Sequence, residues 1–381
     1  MFLLFINYIS HEALRRHLTL SCLTIRTSQD NAQKGKHEQS MAIMAPSSEK
    51  LLTGLVAATF TPLTEEGEIN IKEIGPYVDY LTERQGVTNI FVNGTTGESM
   101  SLTVAERKVL AEEWCKKAKG KMDHVVVHVG CMSLKDSQDL ALHAAQIEAD
   151  SIAVISPSFF KPKNVHALRS YLKAVASAAP NLPFYYYHIP SITGVNVLVR
   201  DLLDGIEEQI PSFRGVKFSS IDLMDFGLCF RLMKPNWSLL YGVDEQMLSG
   251  LVLGADGAVG STYNYVGCQF NKLLSAFEKG ELVKARTIQV PSIPMLLLPT
   301  SHSYLTSFWL LTYLFHFHVQ FKLQDFLGSA MKLGFDVGVN KQLMVEVSGL
   351  SLGPPRLPLM PCHPDVAASI KQKYESIFPQ C

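Results

Sequence analysis

The sequence predicts an α/β protein built as a closed (β/α)8 TIM barrel, with additional helices after the last strand. Three observations carry this. Between Gly54 and Asn264, apolar β-rich runs alternate with segments of helical periodicity. Such alternation implies parallel strands buried on both faces, because each crossover helix returns the chain to the same end of the sheet. Eight strand candidates are present with seven helices between them, where a doubly wound sheet usually stops nearer six.

The elements follow in order. "GLVAATF" from Gly54 is the first strand, and "IKEIGPYVDYLTERQ" the first helix. "NIFVNG" from Asn89 leads to "TVAERKVLAEEWCKKAK", and "VVVHVG" from Val125 to "LKDSQDLALHAAQIEA". "SIAVISP" from Ser151 leads to "VHALRSYLKAVASAA", and "FYYYHIP" from Phe184 to "LVRDLLDGIEEQ". "GVKFSS" from Gly215 precedes "MDFGLCFRLM", and "SLLYG" from Ser238 precedes "DEQMLSGLVLG". The last strand is "GAVGSTY" from Gly257. Beyond it, "FNKLLSAFEKGELVKARTIQ" and "FKLQDFLGSAMKLGF" read as helices that cover the barrel or build an interface.

In a barrel of this kind, chemistry sits at the C-terminal ends of the strands. Those ends supply Thr59 and Thr61, the run Gly94-Thr95-Thr96-Gly97-Glu98, Gly130, Pro157, Tyr187, Lys217, Asp244 with Glu245, and Ser261. Lys217 is the unexpected member, because an ammonium inside an apolar strand is expensive to keep. One reading has its stem buried and its head snorkelling to the rim or pairing with Asp222. The other makes it a nucleophile: burial favours the neutral amine, which attacks a carbonyl to form an imine. The protonated imine then withdraws electrons from the neighbouring carbon, so a carbon–carbon bond is cleaved or formed without a metal.

Such chemistry needs a proton carrier and a grip on substrate oxygens. Tyr187 stands near a strand end and shares a face with Tyr185 but not Tyr186. Aromatics on a barrel strand are more commonly plain core. "NGTTGES" has two glycines around two hydroxyls, so its amides and hydroxyls suit an anionic oxygen. It lacks the GxxxxGK spacing of a nucleotide loop, and a plain turn before a helix is its bland reading. The twelve histidines include no HExxH, and the "HFH" of His316 and His318 lies in an unusual segment, so no metal site is expected.

Composition narrows the partners. A net charge of −1 gives no support for nucleic acid or a strongly charged membrane surface. Seven cysteines without a CxxC or close pair suit a reducing, intracellular compartment, and a cytoplasmic location is expected.

Taken together, "FVNGTTGE", "YYYHIPSITG", "GVKFS", "YGVDEQ" and "GADGAVGSTYN" resemble the pyruvate-dependent class I aldolases of the N-acetylneuraminate lyase and dihydrodipicolinate synthase superfamily. Five motifs in the right order, from about Leu52 to Met360, make the resemblance specific. It implies that Lys217 forms the Schiff base and that Tyr187 shuttles the proton of the substrate C4 hydroxyl. It implies that Thr95 and Thr96 hold the pyruvate carboxylate. Ser219, Asp244, Glu245 and Ser261, with the carbonyl of Gly242, are implied to bind the polyhydroxyl end. No cofactor beyond the lysine imine is implied, and the family suggests a homotetramer. A phenol acting as base should have its pKa lowered by a nearby cation or hydroxyl network.

Synthases of the family carry an arginine two residues after the proline of "YHIP", where this chain has Ile192. "GVDEQ" supplies two carboxylates instead, which accept hydrogen bonds from hydroxyls. Both differences favour a polyol aldehyde. The implied reaction is reversible cleavage of N-acetylneuraminate to N-acetylmannosamine and pyruvate. A related 2-keto-3-deoxy sugar acid aldolase, or a barrel disabled by its insertion, is the alternative. "SPSFFKP" departs from the family by placing Phe159 and Phe160 where a tyrosine is often found.

The expected organisation is a disordered extension over 1–48, an aldolase domain over 49–289 and 321–362, a hydrophobic insertion over 290–320, and a C-terminal helix or tail over 363–381. The start "MFLLFINYIS" is short, without preceding basic residues or a clear small-residue cleavage site, which argues against a secretory signal. Arg15, Arg16 and Arg26 suit a mitochondrial leader, but Glu12 and Asp30 count against one. In the insertion, the apolar run from Ser307 to Phe317 is about half of the roughly 20 residues a membrane span needs.

Overall fold

Eight parallel strands pair in chain order and close on themselves in the computed structural model, which describes residues 51–281 and 320–378. They are β1 (Gly54–Ala58), β2 (Asn89–Val92), β3 (His124–His128), β4 (Ser151–Ile155), β5 (Phe184–His188), β6 (Phe213–Phe218), β7 (Ser238–Tyr241) and β8 (Gly257–Gly260). Closure is made between β1 and β8, with Gly54 opposite Gly257 and Val56 opposite Val259. The strands begin where the sequence placed them, except that β3 starts at His124 and β6 at Phe213. In β6, Gly215 has φ +146°, and a Cβ there would lie 2.0 Å from the Ser238 carbonyl oxygen. Only glycine fits this contact, which brings β6 close against β7 just before Lys217.

Helices fill the crossovers: α1 (Ile74–Asp79, continued by a π turn over Tyr80–Gln85), α2 (Val104–Ala118), α3 (Leu134–Gln146) and α4 (Val165–Ala176). Then come α5 (Pro190–Thr193), α6 (Val199–Leu203), α7 (Ile206–Gln209), α8 (Leu223–Phe230), α9 (Met247–Val252) and α10 (Tyr263–Glu278). α11 (Gln320–Lys332), α12 (Val337–Ser348) and α13 (Pro364–Ile377) follow. The starts of the main helices are chemically marked. Thr103 makes a capping box with Glu106, and Ser133, Asn164, Asp222, Asp336 and His363 each accept a backbone N–H of the first turn. Each such cap contributes about 1 kcal/mol.

Three segments differ from the sequence reading. The helix expected over 198–209 breaks into α6 and α7, because the chain turns at Asp204 and Gly205, the latter left-handed at φ +69°. α10 starts at Tyr263, ahead of the expected Phe270. α12 was not expected at all. Its sequence, VGVNKQLMVEVS, is rich in β-branched residues, and it buries Asn340 and Lys341 beside Val339 and Leu343. Polar residues on the buried side erase the periodicity by which a helix is read.

The strand pleat separates two cores. Val56, Phe91, Val126, Ala153, Tyr185, Tyr187, Leu240 and Val259 pack inside the barrel. Tyr186, Val216, Phe218 and Leu239 face the helices in the outer core, so the three tyrosines divide as the alternation requires. α13 docks onto the barrel's own helices, with the Tyr374 hydroxyl donating to the Tyr265 carbonyl (2.7 Å) and Phe326, Tyr374 and Phe378 packing edge on. The expected extension over 1–48 lies outside the described residues. So does the expected insertion, except its last residue, Gln320, which opens α11. Among the described residues no helix is long and apolar enough to cross a membrane.

Candidate active site

A cavity of ≈ 730 Å³ opens at the C-terminal ends of the strands. Thr95, Thr96, Tyr187, Lys217, Ser219, Gly242, Asp244, Glu245 and Ser261 all line it. The strand ends thus bring together all nine residues that the resemblance implies, whereas Thr59, Thr61, Glu98, Gly130 and Pro157 of the strand-end set are not among the lining residues. Ile192 is not among the lining residues; it is exposed on α5, while Ile189, Pro190 and Ser191 face the cavity. Phe159 and Phe160 are also outside it, stacked edge on at the surface.

Lys217 points into the barrel and is only 5% exposed. Asp222 is not its partner, since that carboxylate caps α8 by accepting from the Asp225 N–H at 2.9 Å. The Lys217 Nζ instead lies 4.0 Å from the centre of the Tyr187 ring and 4.1 Å from that of Phe91. Aromatic faces solvate an ammonium poorly compared with water, and burial lowers the amine from 10.5 to about 7. Asp244 opposes this by favouring the charged form. Near neutral pH a large share of the amine is therefore a free base.

Tyr187 is opposite Lys217 in the β5–β6 ladder. Its hydroxyl is 3.2 Å from Thr95 Oγ1. Burial pushes the phenol up to about 12, against the lowering effect of hydrogen bonds from Thr95 and Ser219, and Asp244 raises it further. This corrects the expectation of a lowered pKa. The lysine sits over the face of the ring rather than beside the oxygen, and its charge is itself suppressed. Tyr187 is consequently a protonated hydroxyl across the physiological range, able to relay a proton but not to stand as a phenolate.

The loop after β2 is rigid for local reasons. Asn93 and Glu98 both take left-handed φ (58° and 56°), and the Thr61 hydroxyl donates to the Gly97 carbonyl at 2.6 Å. The Glu98 carboxylate then turns away from the cavity, accepting Lys341 Nζ at 3.0 Å and the Arg356 N–H at 2.7 Å. The Glu98 and Lys341 side chains are 0% and 1% exposed. Thr95 and Thr96 are left lining the cavity, with the Thr95 hydroxyl beside that of Tyr187.

On the opposite wall, Asp244 Oδ2 accepts both the N–H (3.0 Å) and the hydroxyl (2.6 Å) of Thr262. Burial raises the Asp244 carboxyl, and these bonds and Lys217 oppose it. Glycine at 260 is required, since a Cβ there would lie 1.8 Å from Asp244 Oδ1. Burial also raises Glu245, whose carbonyl accepts from Gln324 of α11 at 2.7 Å.

Sequence reasoning missed the third wall. Leu327 and Met331 of α11, Phe335 and Asp336 of the turn after it and Asn340 of α12 complete the cavity. They belong to no strand end and form no local motif; α11 was legible only as a helix that covers the barrel or builds an interface, and α12 was not legible at all. Among the described residues there is no group of three or more His, Cys, Asp or Glu placed to hold a metal ion.

A free amine at a barrel strand end, the ring of a phenol against it and a hydroxyl-rich loop on the same cavity define a lysine-dependent, class I carbon–carbon lyase. The model of the dihydrodipicolinate synthetase family matches residues 51–302, and the chain belongs to that family. An N-acetylneuraminate lyase of Danio rerio is 54% identical over 325 residues, covering 85% of this chain and 96% of that protein. The N-acetylneuraminate lyase of Homo sapiens is 50% identical over 329 residues, covering 86% and 93%. Among solved structures, the N-acetylneuraminate lyase of Aliivibrio salmonicida superposes with a TM-score of 0.73 at 31% identity, covering 86% of this chain and 97% of that one.

Proposed function

We propose that this protein catalyses the reversible cleavage of N-acetylneuraminate into N-acetylmannosamine and pyruvate. The observation that carries the proposal is Lys217, an amine brought to about 7 by burial and held over the Tyr187 ring in a polar-walled cavity. Relatives bearing that activity as their name, at 50–54% identity over most of the chain, support the choice of substrate.

In this reading the Thr95–Thr96 loop holds the C1 carboxylate of the open-chain sugar acid. Neutral Lys217 attacks the C2 ketone, and loss of water gives the protonated imine. Tyr187 takes the C4 hydroxyl proton as it passes its own proton to the substrate carboxylate. This relay suits a phenol that does not ionise near neutral pH. The electrons of the C3–C4 bond move into the imine, the aldehyde leaves, and the enamine of pyruvate is protonated at C3 and hydrolysed from Lys217. Asp244, Glu245, Ser219, Ser261 and the Gly242 carbonyl receive the hydroxyls of the departing sugar. The active form is proposed to be a cytoplasmic homotetramer, in keeping with the family resemblance.

The test is reductive trapping. Borohydride added with pyruvate should fix a three-carbon adduct on the peptide containing Lys217, and N-acetylneuraminate should release pyruvate. An adduct on Lys161 or Lys163, or none in a folded sample, refutes the assignment. Pyruvate trapping without cleavage of N-acetylneuraminate, but with turnover of another 2-keto-3-deoxy sugar acid, moves the substrate within the class.

A further inference from the structure

We infer that His128 of β3 is a positioning residue: its ring fixes the carbonyl of Asn93 and so holds the Thr95–Thr96 loop in place for the substrate carboxylate. The inference deepens the proposed function and rests on it. The β2–β3 register ends with Val92 opposite Val127. One residue later Asn93 leaves the sheet with a left-handed φ of 58°, an uncommon conformation for a residue with a side chain. A cycle of three side chains keeps it there. Asn93 Nδ2 donates to the carbonyl of Arg107 on α2 at 2.9 Å. Arg107 Nη2 donates to the carbonyl of His128 at 2.7 Å. His128 Nδ1 donates to the carbonyl of Asn93 at 2.8 Å. Each side chain grips the next residue's main chain, and the ends of β2 and β3 are tied to α2. All three residues are at most 2% exposed, so water does not compete for these bonds.

A main-chain carbonyl only accepts, so at 2.8 Å Nδ1 carries the proton and Nε2 is left with none. Nε2 is buried and has no hydrogen-bond partner among the described residues. An apolar side chain would fill the same space beside Phe91 and Tyr187 without burying an unpaired acceptor, so what the imidazole contributes is the Nδ1 proton. Burial and the Arg107 guanidinium keep the ring neutral, well below the usual histidine range. His128 is not among the residues that line the cavity, and it acts through Asn93. From there the chain reaches Thr95 in two residues. Gly94 between them is packed so tightly that a Cβ would lie 2.7 Å from the Phe91 ring. The other left-handed residue of the loop, Glu98, is held by Lys341 and Arg356. Asn93 and Glu98 are therefore two anchored ends, with Thr95 and Thr96 between them. Releasing the first anchor displaces the hydroxyls that meet the keto acid's carboxylate and leaves the Asp244–Glu245 wall, which meets the aldehyde, untouched.

The experiment measures condensation of pyruvate with N-acetylmannosamine by the full chain, because only the first of the two carries the carboxylate. His128→Leu removes the Nδ1 donor. It should raise KM for pyruvate about tenfold, the effect of one lost hydrogen bond, while KM for N-acetylmannosamine keeps its wild-type value. His128→Gln puts its N–H at the position of the far ring nitrogen and should do the same. His128→Asn puts one where Nδ1 stood and should restore the pyruvate KM, although the lost ring volume lowers its melting temperature. A merely structural role predicts the reverse: activity would follow melting temperature, and the asparagine variant would gain nothing over leucine. If His128→Leu does not fold, the contrast of His128→Gln with His128→Asn carries the test. A wild-type pyruvate KM in the leucine and glutamine variants, an equal rise for N-acetylmannosamine, or an asparagine variant as impaired as the others overturns the inference and makes His128 a packing residue. A wild-type protein that traps no pyruvate on Lys217 overturns the functional reading, and this assignment falls with it.

Discussion

Replacing Lys217 by methionine should make the protein more stable, and the gain should depend on pH. The structure sets both sign and size. Folding lowers the amine from 10.5 to about 7, so between those values the unfolded chain holds a proton that the native state has released. Stability then rises with pH in that window and is lowest below pH 7, where the native state must carry a buried ammonium. At about 1.4 kcal/mol per pH unit, the lysine costs about 5 kcal/mol below pH 7 and about 2 kcal/mol near pH 9. Methionine has similar length and no charge. Urea unfolding of wild type and Lys217→Met at pH 6.5, 7.5 and 8.5 should show the variant ahead throughout, by several kcal/mol at the lowest pH, with the gap closing as pH rises. The same variant should form no pyruvate adduct. A gap of constant size, or a wild type more stable than the variant at pH 6.5, would show that the amine is solvated in the native state and that its nucleophilicity has another origin.

Two further outcomes follow from the same geometry. Tyr187→Phe removes the relay hydroxyl and leaves the ring under the lysine, so borohydride trapping should persist while single-turnover cleavage slows about 10²-fold or more; near-normal cleavage would assign the relay to Thr95. Lys341→Met strands Glu98 as a buried carboxylate without its ion partner, which should cost about 3–5 kcal/mol by urea unfolding and raise KM for pyruvate as the Thr95–Thr96 loop loosens.

Local information reached far in this chain. Parallel strands buried on both faces leave continuous apolar runs, and the strand ends therefore exposed Thr95, Thr96, Tyr187, Lys217, Asp244, Glu245 and Ser261, while Ser219 and Gly242 came only with the resemblance. Lys217 was legible because a charge in such a run is a contradiction the fold has to resolve. The protonation state of Tyr187 was not legible, since it depends on which part of the ring the amine faces. Nor was the pairing of Glu98 with Lys341, 243 residues apart, because neither partner carries a local sign of the other. Asn340 was hidden for a related reason: a helix that buries polar side chains among valines presents no stripe to recognise.

The position of Lys341 also sets an order of events during synthesis. Every strand, and Lys217 itself, leaves the ribosome before the helix that anchors the loop beside them. When the last strand has been made, Glu98 still lacks its counter-ion and the cavity still lacks the wall supplied by Phe335 and Asn340. A chain that terminates ahead of α12 therefore contains Lys217 but lacks both the counter-ion of Glu98 and Asn340 of the cavity wall.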